Sequence, residues 1–362
     1  MQNTPVRIAI NGFGRIGRTS FKIAFDNPNI EIVAINDLSH PRKLAHMLSY
    51  DSIYGHFKHD VYVEENGTKI DLPKWNEHKA YFGSQPNDES YIVVDGKKVR
   101  VFAQKDPAML PWKDLQIDCV LECTGVFVKD GAAKVHLDAG AKCVVLSAPA
   151  KGEGNVPTFM MGVNSDQYLG QNLISNASCT TNSISPVVDV IHKKFGILKS
   201  ALTTIHATTS TESIVDSAPR DEDLRKARAA FVNLIPTTSG AAIATTKAIP
   251  ALAGKFDGVA VRVPVAIGSL SDITMLVSKP VTVEEINNAL IEASEQPFYK
   301  DVLGVSHAPI VSTDVIGCTF SGLVDLAMTR VVDGDLVKIM SWYDNEWGYS
   351  SRLVELAVHA CS

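Results

Sequence analysis

An α/β domain built on a parallel sheet, followed by an α+β domain with a largely antiparallel sheet, is the fold class this sequence predicts. Three observations lead there. The first stretch of roughly 150 residues alternates β-rich runs with helical patterns, the texture changes after residue 178 to Thr- and Ala-rich runs and alternating strands, and 362 residues make about two domains. The apolar fraction of 45% and charged fraction of 20% suffice for packed cores and exclude disorder as the main state.

Each element is read in order. VRIAI at 6–10 is the first strand, a helical pattern starts near Arg15, and EIVAIND at 31–37, KKVRVFA at 97–103, CVLECTG at 119–125 and KCVVLSA at 142–148 are further strands. Strands separated by helical stretches at this spacing join parallel neighbours through right-handed crossovers. The polar stretch from Glu64 to Glu89 reads as a surface excursion. Beyond residue 178, LTTIHATTST, PTTSGAAIATT, GVAVRVPV and SDITMLVS predict an antiparallel sheet carrying helices. The tail SSRLVELAVHACS spaces Leu353, Val354, Leu356, Ala357 and Ala360 as a helix face.

Composition narrows the class. A single basic residue precedes a five-residue apolar stretch at the start, too short for a secretory h-region, and no 18 apolar residues run together. Six cysteines without zinc spacing or dense pairing predict reduced thiols, no metal site and a cytoplasmic protein. With 34 Lys+Arg against 40 Asp+Glu the net charge is −6, and without a basic stripe neither a nucleic-acid nor a membrane partner is expected.

The first strand runs into Asn11-Gly12-Phe13-Gly14-Arg15-Ile16-Gly17, a G-x-G-x-x-G between strand and helix. Gly12 permits the tight turn, Gly14 lets backbone approach a pyrophosphate, and Gly17 allows helix to pack closely on strand. The second strand ends at Asp37, where a carboxylate can accept the ribose 2′-OH and repel a 2′-phosphate. The pattern predicts NAD, and Leu38 in place of an Arg after Asp37 favours it over NADP.

Cys179, in Ser175-Asn176-Ala177-Ser178-Cys179-Thr180-Thr181-Asn182, lies just before the helical run PVVDVIHKKF. Alone it reads more often as a small buried hydrophobe than as a nucleophile. A thiol at a helix N-terminus is expected to have a lowered pKa, and His206, at the end of a strand, could return an imidazole to it. A thiolate beside a nicotinamide suggests aldehyde oxidation through a thiohemiacetal and a thioester. Ser178, Thr180, Thr209, Arg228, Ser239, Gly240 and Arg262 carry hydroxyl, guanidinium and backbone groups suited to phosphate.

With these residues in hand, the chain resembles the phosphorylating glyceraldehyde-3-phosphate dehydrogenases over nearly its full length. The resemblance runs through INGFGRIGR at 10–18, DPAMLPWKDL at 106–115, ECTGVF at 122–127, SAPAKG at 147–152, SNASCTTN at 175–182, LRKARAA at 224–230 and SWYDNEWGYSSR at 341–352. It implies a homotetramer whose subunits have a Rossmann dinucleotide-binding domain over 1–178, completed by a C-terminal helix over 345–362, and a catalytic domain over 179–344. It implies Cys179 as nucleophile and His206 as its base, with Arg15, Ile16, Lys105, Thr124, Ser147 and Asn345 joining the glycines and Asp37 in the cofactor site. Thr209 and Arg262 match the site for the phosphate of glyceraldehyde 3-phosphate, and Ser178, Thr180, Arg228, Ser239 and Gly240 the site for inorganic phosphate.

The chain departs from the family pattern at five places. Thr208 stands where an aromatic is common, Glu212 where Gln is common, and Ser239 where Thr is common; the acidic loop Ser217–Asp223 and the polar excursion at 64–89 are also longer than usual. An erythrose-4-phosphate dehydrogenase on the same scaffold is the nearest rival reading. A redox sensor or nucleic-acid binder on a dehydrogenase fold, and a Cys–His hydrolase, are more distant ones.

Overall fold

A computed structural model of the chain describes residues 4–71, 89–218 and 222–361. By contact the chain divides into two units, one of Met1–Pro157, Tyr168–Asn176 and Leu353–Ser362, the other of Thr158–Gln167 and Ala177–Arg352. The helix Trp347–Ala360 runs from the second unit's segment into the first unit's, and it buries Leu353, Val354, Leu356 and Ala357 as their spacing predicts.

The first unit is built on a nine-stranded sheet whose strands begin, in spatial order, at Leu173, Cys143, Cys119, Val6, Ile30, Lys97, Ser90, Val61 and Thr68. The first six are mutually parallel and the last three antiparallel. The strand Val6–Asn11 lies between Ile30–Asn36 and Cys119–Glu122. Chain order reverses there, and the loops leaving the carboxyl ends of such strands form the ligand crevice of a doubly wound sheet. Ala9, Ala34, Val120, Val144 and Leu146 pack with Trp112 and Ile117 into this unit's core.

The polar stretch from Glu64 begins as regular structure at the edge of this sheet: Val61–Glu65 pairs antiparallel with Thr68–Asp71 and with Ser90–Val94. Asn66 and Gly67, with φ of 51° and 74°, make the left-handed two-residue turn that joins such a hairpin. The remainder of the stretch, 72–88, lies outside the described residues.

The second unit carries a mixed sheet ordered by strands beginning at Ile235, Phe256, Ile197, Ser269, Leu336, Gly322 and Leu303. Arg330–Val332 adds an eighth strand against Leu336–Tyr343, and five of the seven pairs are antiparallel and two parallel. The strand Ser269–Val277 alternates buried and part-exposed residues along its whole length, the period of a sheet with one face covered. Its Ile273, Met275 and Val277 pack with Ile184, Val187, Val188 and Ile191 of the helix Cys179–Phe195. Among the described residues, no helix is long and apolar enough to cross a membrane and no cluster of His, Cys, Asp or Glu is arranged to hold a metal ion.

Candidate active site

In the first unit the glycine loop follows from backbone sterics. Gly12 has φ of 90°, and a Cβ there would lie 2.8 Å from backbone atoms of Cys123 and Thr124. A Cβ on Gly17 would lie 2.1 Å from the carbonyl oxygen of Gly12, so helix and loop approach this closely only because residue 17 is glycine. Gly14 is different: a Cβ there would meet nothing within 4 Å. The open space lies at the first turn of the helix Arg15–Phe25, where unpaired N–H groups and the helix dipole favour an anion. The residues present therefore fit a dinucleotide pyrophosphate. Asp37 stands beside the loop, its Oδ2 accepting from Phe13 N at 2.8 Å and its Oδ1 from Ser39 N at 2.8 Å.

Beneath the loop lies a buried polar network that the sequence reading missed. The Glu122 carboxylate accepts from Asn11 Nδ2 at 2.5 Å, Thr124 N at 2.8 Å and the Thr124 hydroxyl, and it lies 3.0 Å from His136 Nε2. Trp112 Nε1, which can only donate, gives its hydrogen to His136 Nδ1 at 3.0 Å, so the imidazole proton sits on Nε2 and points at Glu122. Ser147 N donates to the Glu122 carbonyl at 3.0 Å. Thr124 and Ser147 are thus held by one residue. Arg15 turns its guanidinium to Asp51 at 2.7 Å, Ile16 is half-buried in the first turn, and Lys105 is exposed beyond the strand Lys97–Phe102.

In the second unit the helix bearing Cys179 begins earlier than the run from Pro186 suggests, because Ser178 caps it: the Ser178 hydroxyl accepts from Thr181 N at 3.1 Å. Pro186 lies inside the helix, and Cys179 is its first residue. His206 is on the strand Ile197–Ala207 directly opposite Arg262 of Phe256–Val263, so the two side chains leave the sheet on one face. Cys179 Sγ is 3.5 Å from His206 Nε2. His206 Nδ1 lies 2.7 Å from the Ala207 carbonyl and 2.8 Å from Arg262 Nη1, which itself donates to that carbonyl at 3.0 Å. With the proton on Nδ1 and given to Ala207, Nε2 offers its lone pair to the thiol. With the proton on Nε2, Nδ1 instead accepts from Arg262 and the thiol loses its acceptor.

The electrostatics correct the expected thiolate. Burial pushes the Cys179 thiol up, and Arg262 with the hydrogen bonds from the Thr180 hydroxyl and the first-turn backbone only partly offsets it. Burial, then the Arg262 cation, lowers His206 to about 3. Both shifts favour thiol and neutral imidazole over the ion pair. Thr180 Oγ1 is 2.9 Å from the Tyr343 hydroxyl, which is 2.8 Å from Thr204 Oγ1. When Thr180 donates to sulfur, Tyr343 donates to Thr180 and Thr204 to Tyr343. Tyr343 went unnoticed in the sequence although it lies in SWYDNEWGYSSR.

The anion residues fall into two groups. Thr209 joins Arg262 through Glu212, whose Oε2 accepts from Thr209 N at 2.9 Å and from its hydroxyl at 3.2 Å, and whose Oε1 lies 3.7 Å from Arg262 Nε. The Glu212 side chain is fully buried. Arg228 pairs instead with Asp216 at 3.0 Å, and Ser239 caps Ala241 N at 3.3 Å beside Gly240, at the head of the helix Ala241–Ala248. Asn345 Oδ1 accepts from Ser269 Oγ at 3.0 Å, and Ser269 Oγ accepts from Ala207 N at 3.1 Å, so Asn345 is tied to the strand of His206. In the acidic loop, Asp223 caps a short helical turn and accepts from Thr237, while 219–221 lie outside the described residues.

Comparison with known proteins matches two family models. One, described as the NAD binding domain of glyceraldehyde 3-phosphate dehydrogenase, covers residues 6–78 and 76–130; the other, described as its C-terminal domain, covers residues 178–345. Among curated proteins, a glyceraldehyde-3-phosphate dehydrogenase of Thermotoga maritima is 48% identical over 352 residues, 96% of this chain and 97% of the relative. One of Geobacillus stearothermophilus is 44% identical over 359 residues, 99% of this chain and 98% of the relative. One of Clostridium acetobutylicum is 45% identical over 352 residues, 96% of each.

Proposed function

The chain belongs to the glyceraldehyde-3-phosphate dehydrogenase family, and on that premise we propose that Cys179 and His206 carry the NAD-dependent, phosphorylating oxidation of glyceraldehyde 3-phosphate to 1,3-bisphosphoglycerate. The observation that carries this reading is the 3.5 Å approach of Cys179 Sγ to His206 Nε2 at the head of a helix. NAD, when bound, supplies the hydride acceptor. The glycine loop, Asp37, Thr124 and Ser147 would hold it.

Nε2 takes the thiol proton as sulfur attacks the aldehyde carbon, and the proton passes to the new oxygen to complete a thiohemiacetal. Nε2 next takes that hydroxyl proton while hydride leaves the carbon, and a thioester on Cys179 remains. A phosphate oxygen attacks the thioester carbonyl, the C–S bond breaks, and the departing sulfur recovers its proton from the imidazolium. Arg262 and Thr209 bind the substrate's phosphate; Ser178, Thr180, Arg228, Ser239 and Gly240 serve the attacking phosphate. An anion that recruits the Arg262 guanidinium also weakens the field that keeps His206 neutral, so substrate and base are coupled.

A homotetramer is supported by the exposed apolar side chains Ile214, Val215, Leu224, Phe231, Val232 and Leu234 in one stretch of the second unit, each at least half accessible. Sedimentation or light scattering measures it. Six free cysteines support a reducing, cytoplasmic setting. The test of the chemistry is Cys179→Ser, which is expected to abolish acyl-enzyme trapping with the aldehyde and NAD; undiminished turnover by that variant overturns the assignment.

A further inference from the structure

The thiols of Cys119, Cys143 and Cys361 meet at the end of the first unit's sheet opposite the cofactor loops. Cys119 and Cys143 each open a strand and are register partners in a parallel ladder, so their side chains leave the sheet on one face. The loops bearing Thr124 and Ser147 leave the other ends of the same strands, four residues on, or about 13 Å at the rise of a strand. Cys361 follows the helix Trp347–Ala360, and its side chain lies beside those of Cys119 and Cys143. The tail is held in place there: Tyr168 Oη lies 3.0 Å from the Gln171 carbonyl and 3.2 Å from the Ala360 carbonyl, and its ring is 5.6 Å from that of His359. Cys119 and Cys143 are 0% and 4% exposed, whereas Cys361 is half-buried and is the most accessible residue of the three.

We propose that Cys361 is an oxidation site at which peroxide forms a disulfide with Cys143 or Cys119, tying the C-terminal tail to the sheet. In the first step the Cys361 sulfur takes an oxygen from the peroxide, the O–O bond breaks, and water leaves a sulfenic acid behind. A strand thiol then attacks that sulfur, the S–O bond breaks, and a second water departs. Two thiols lose two electrons and two protons in all, and the peroxide is reduced to two waters. The two strand thiols beside it lower the pKa of the Cys361 thiol, and the Lys142–Asp118 ion pair at 2.7 Å flanks it. Burial of the strand thiols protects them from direct attack, so the order of events is set by exposure.

The experiment titrates the full chain with hydrogen peroxide, alkylates remaining thiols under denaturing conditions, and maps peptides without reductant. The Cys361 peptide is expected cross-linked to the Cys143 or Cys119 peptide, and a thiol reductant should release it. In Cys361→Ser both strand cysteines should be recovered alkylated at the same dose. Recovery of Cys361 free, or as an uncross-linked sulfinic acid, at doses that already oxidise Cys179 overturns the proposal. The wild-type map decides the matter even if the variant folds poorly.

Discussion

Arg262 Nη1 lies 2.8 Å from His206 Nδ1, so a permanent cation sits on the ring whose other nitrogen faces the Cys179 thiol. Removing that cation favours the imidazolium. Arg262→Gln is therefore expected to raise His206 from about 3 towards its ordinary value, and to move the acid limb of the kcat/KM profile up in pH. An unmoved limb would show that burial alone keeps the imidazole neutral.

The same depression makes a stability prediction. His206 binds its proton less well folded than unfolded, so its contribution is fully present above the unfolded pKa near 6.5 and is lost as pH falls from there towards about 3. Urea midpoints of the wild type should drop between pH 7 and about 4.5 by more than those of His206→Asn. Equal drops in the two proteins would contradict a buried neutral imidazole.

Glu212 holds Thr209 and lies against Arg262, the two residues proposed to bind the substrate's phosphate. A buried carboxylate beside a dianion is repulsive, and Gln keeps an acceptor without the charge. Glu212→Gln is expected to lower KM for the phosphorylated aldehyde about tenfold, near 1.4 kcal/mol, with a smaller change in kcat. A raised KM would mean that Glu212 chiefly orients the two ligands.

Tyr343 links Thr180 and Thr204 from a fully buried position. Tyr343→Phe leaves two buried hydroxyls short of a partner and should cost about 1–3 kcal/mol of stability. It should also slow iodoacetamide alkylation of Cys179 at a fixed neutral pH, because Thr180 donates to sulfur as part of that chain. Alkylation at the wild-type rate would remove Tyr343 from the account.

Asp37 accepts from Phe13 N on the glycine loop, which places its charge where an adenosine ribose sits in such loops. Asp37→Ser should weaken NAD and relieve the repulsion of a 2′-phosphate, narrowing the preference for NAD over NADP by at least about tenfold, read as the ratio of kcat/KM values. A preference as strong as in the wild type would place the discrimination elsewhere.

Much of this was legible in the chain because local pattern and tertiary role coincide. Gly12, Gly17 and Asp37 are forced by backbone clashes and a single hydrogen-bonding position, and these leave a spacing that can be read. Strand alternation likewise brings His206 to the end of a strand. What the sequence did not disclose depends on partners distant in the chain. The Glu122–His136–Trp112 network, the Tyr343 relay and the grip of Glu212 on Arg262 join residues with no common motif. The expected thiolate failed for a similar reason: the helix position was readable, but the burial that outweighs it belongs to the packed unit. The hairpin at Asn66-Gly67 was a readable turn signal that the polarity around it obscured.

The most direct test of the central claim is a rapid-mixing measurement of NADH formed from glyceraldehyde 3-phosphate and NAD, with and without inorganic phosphate. A Cys179 thioester that needs phosphate for release predicts a burst of NADH stoichiometric with the thiol and then near-arrest when phosphate is omitted, and sustained turnover when it is present. Sustained turnover without phosphate would contradict the phosphorylating reading, and no burst under either condition would contradict the role of Cys179 itself.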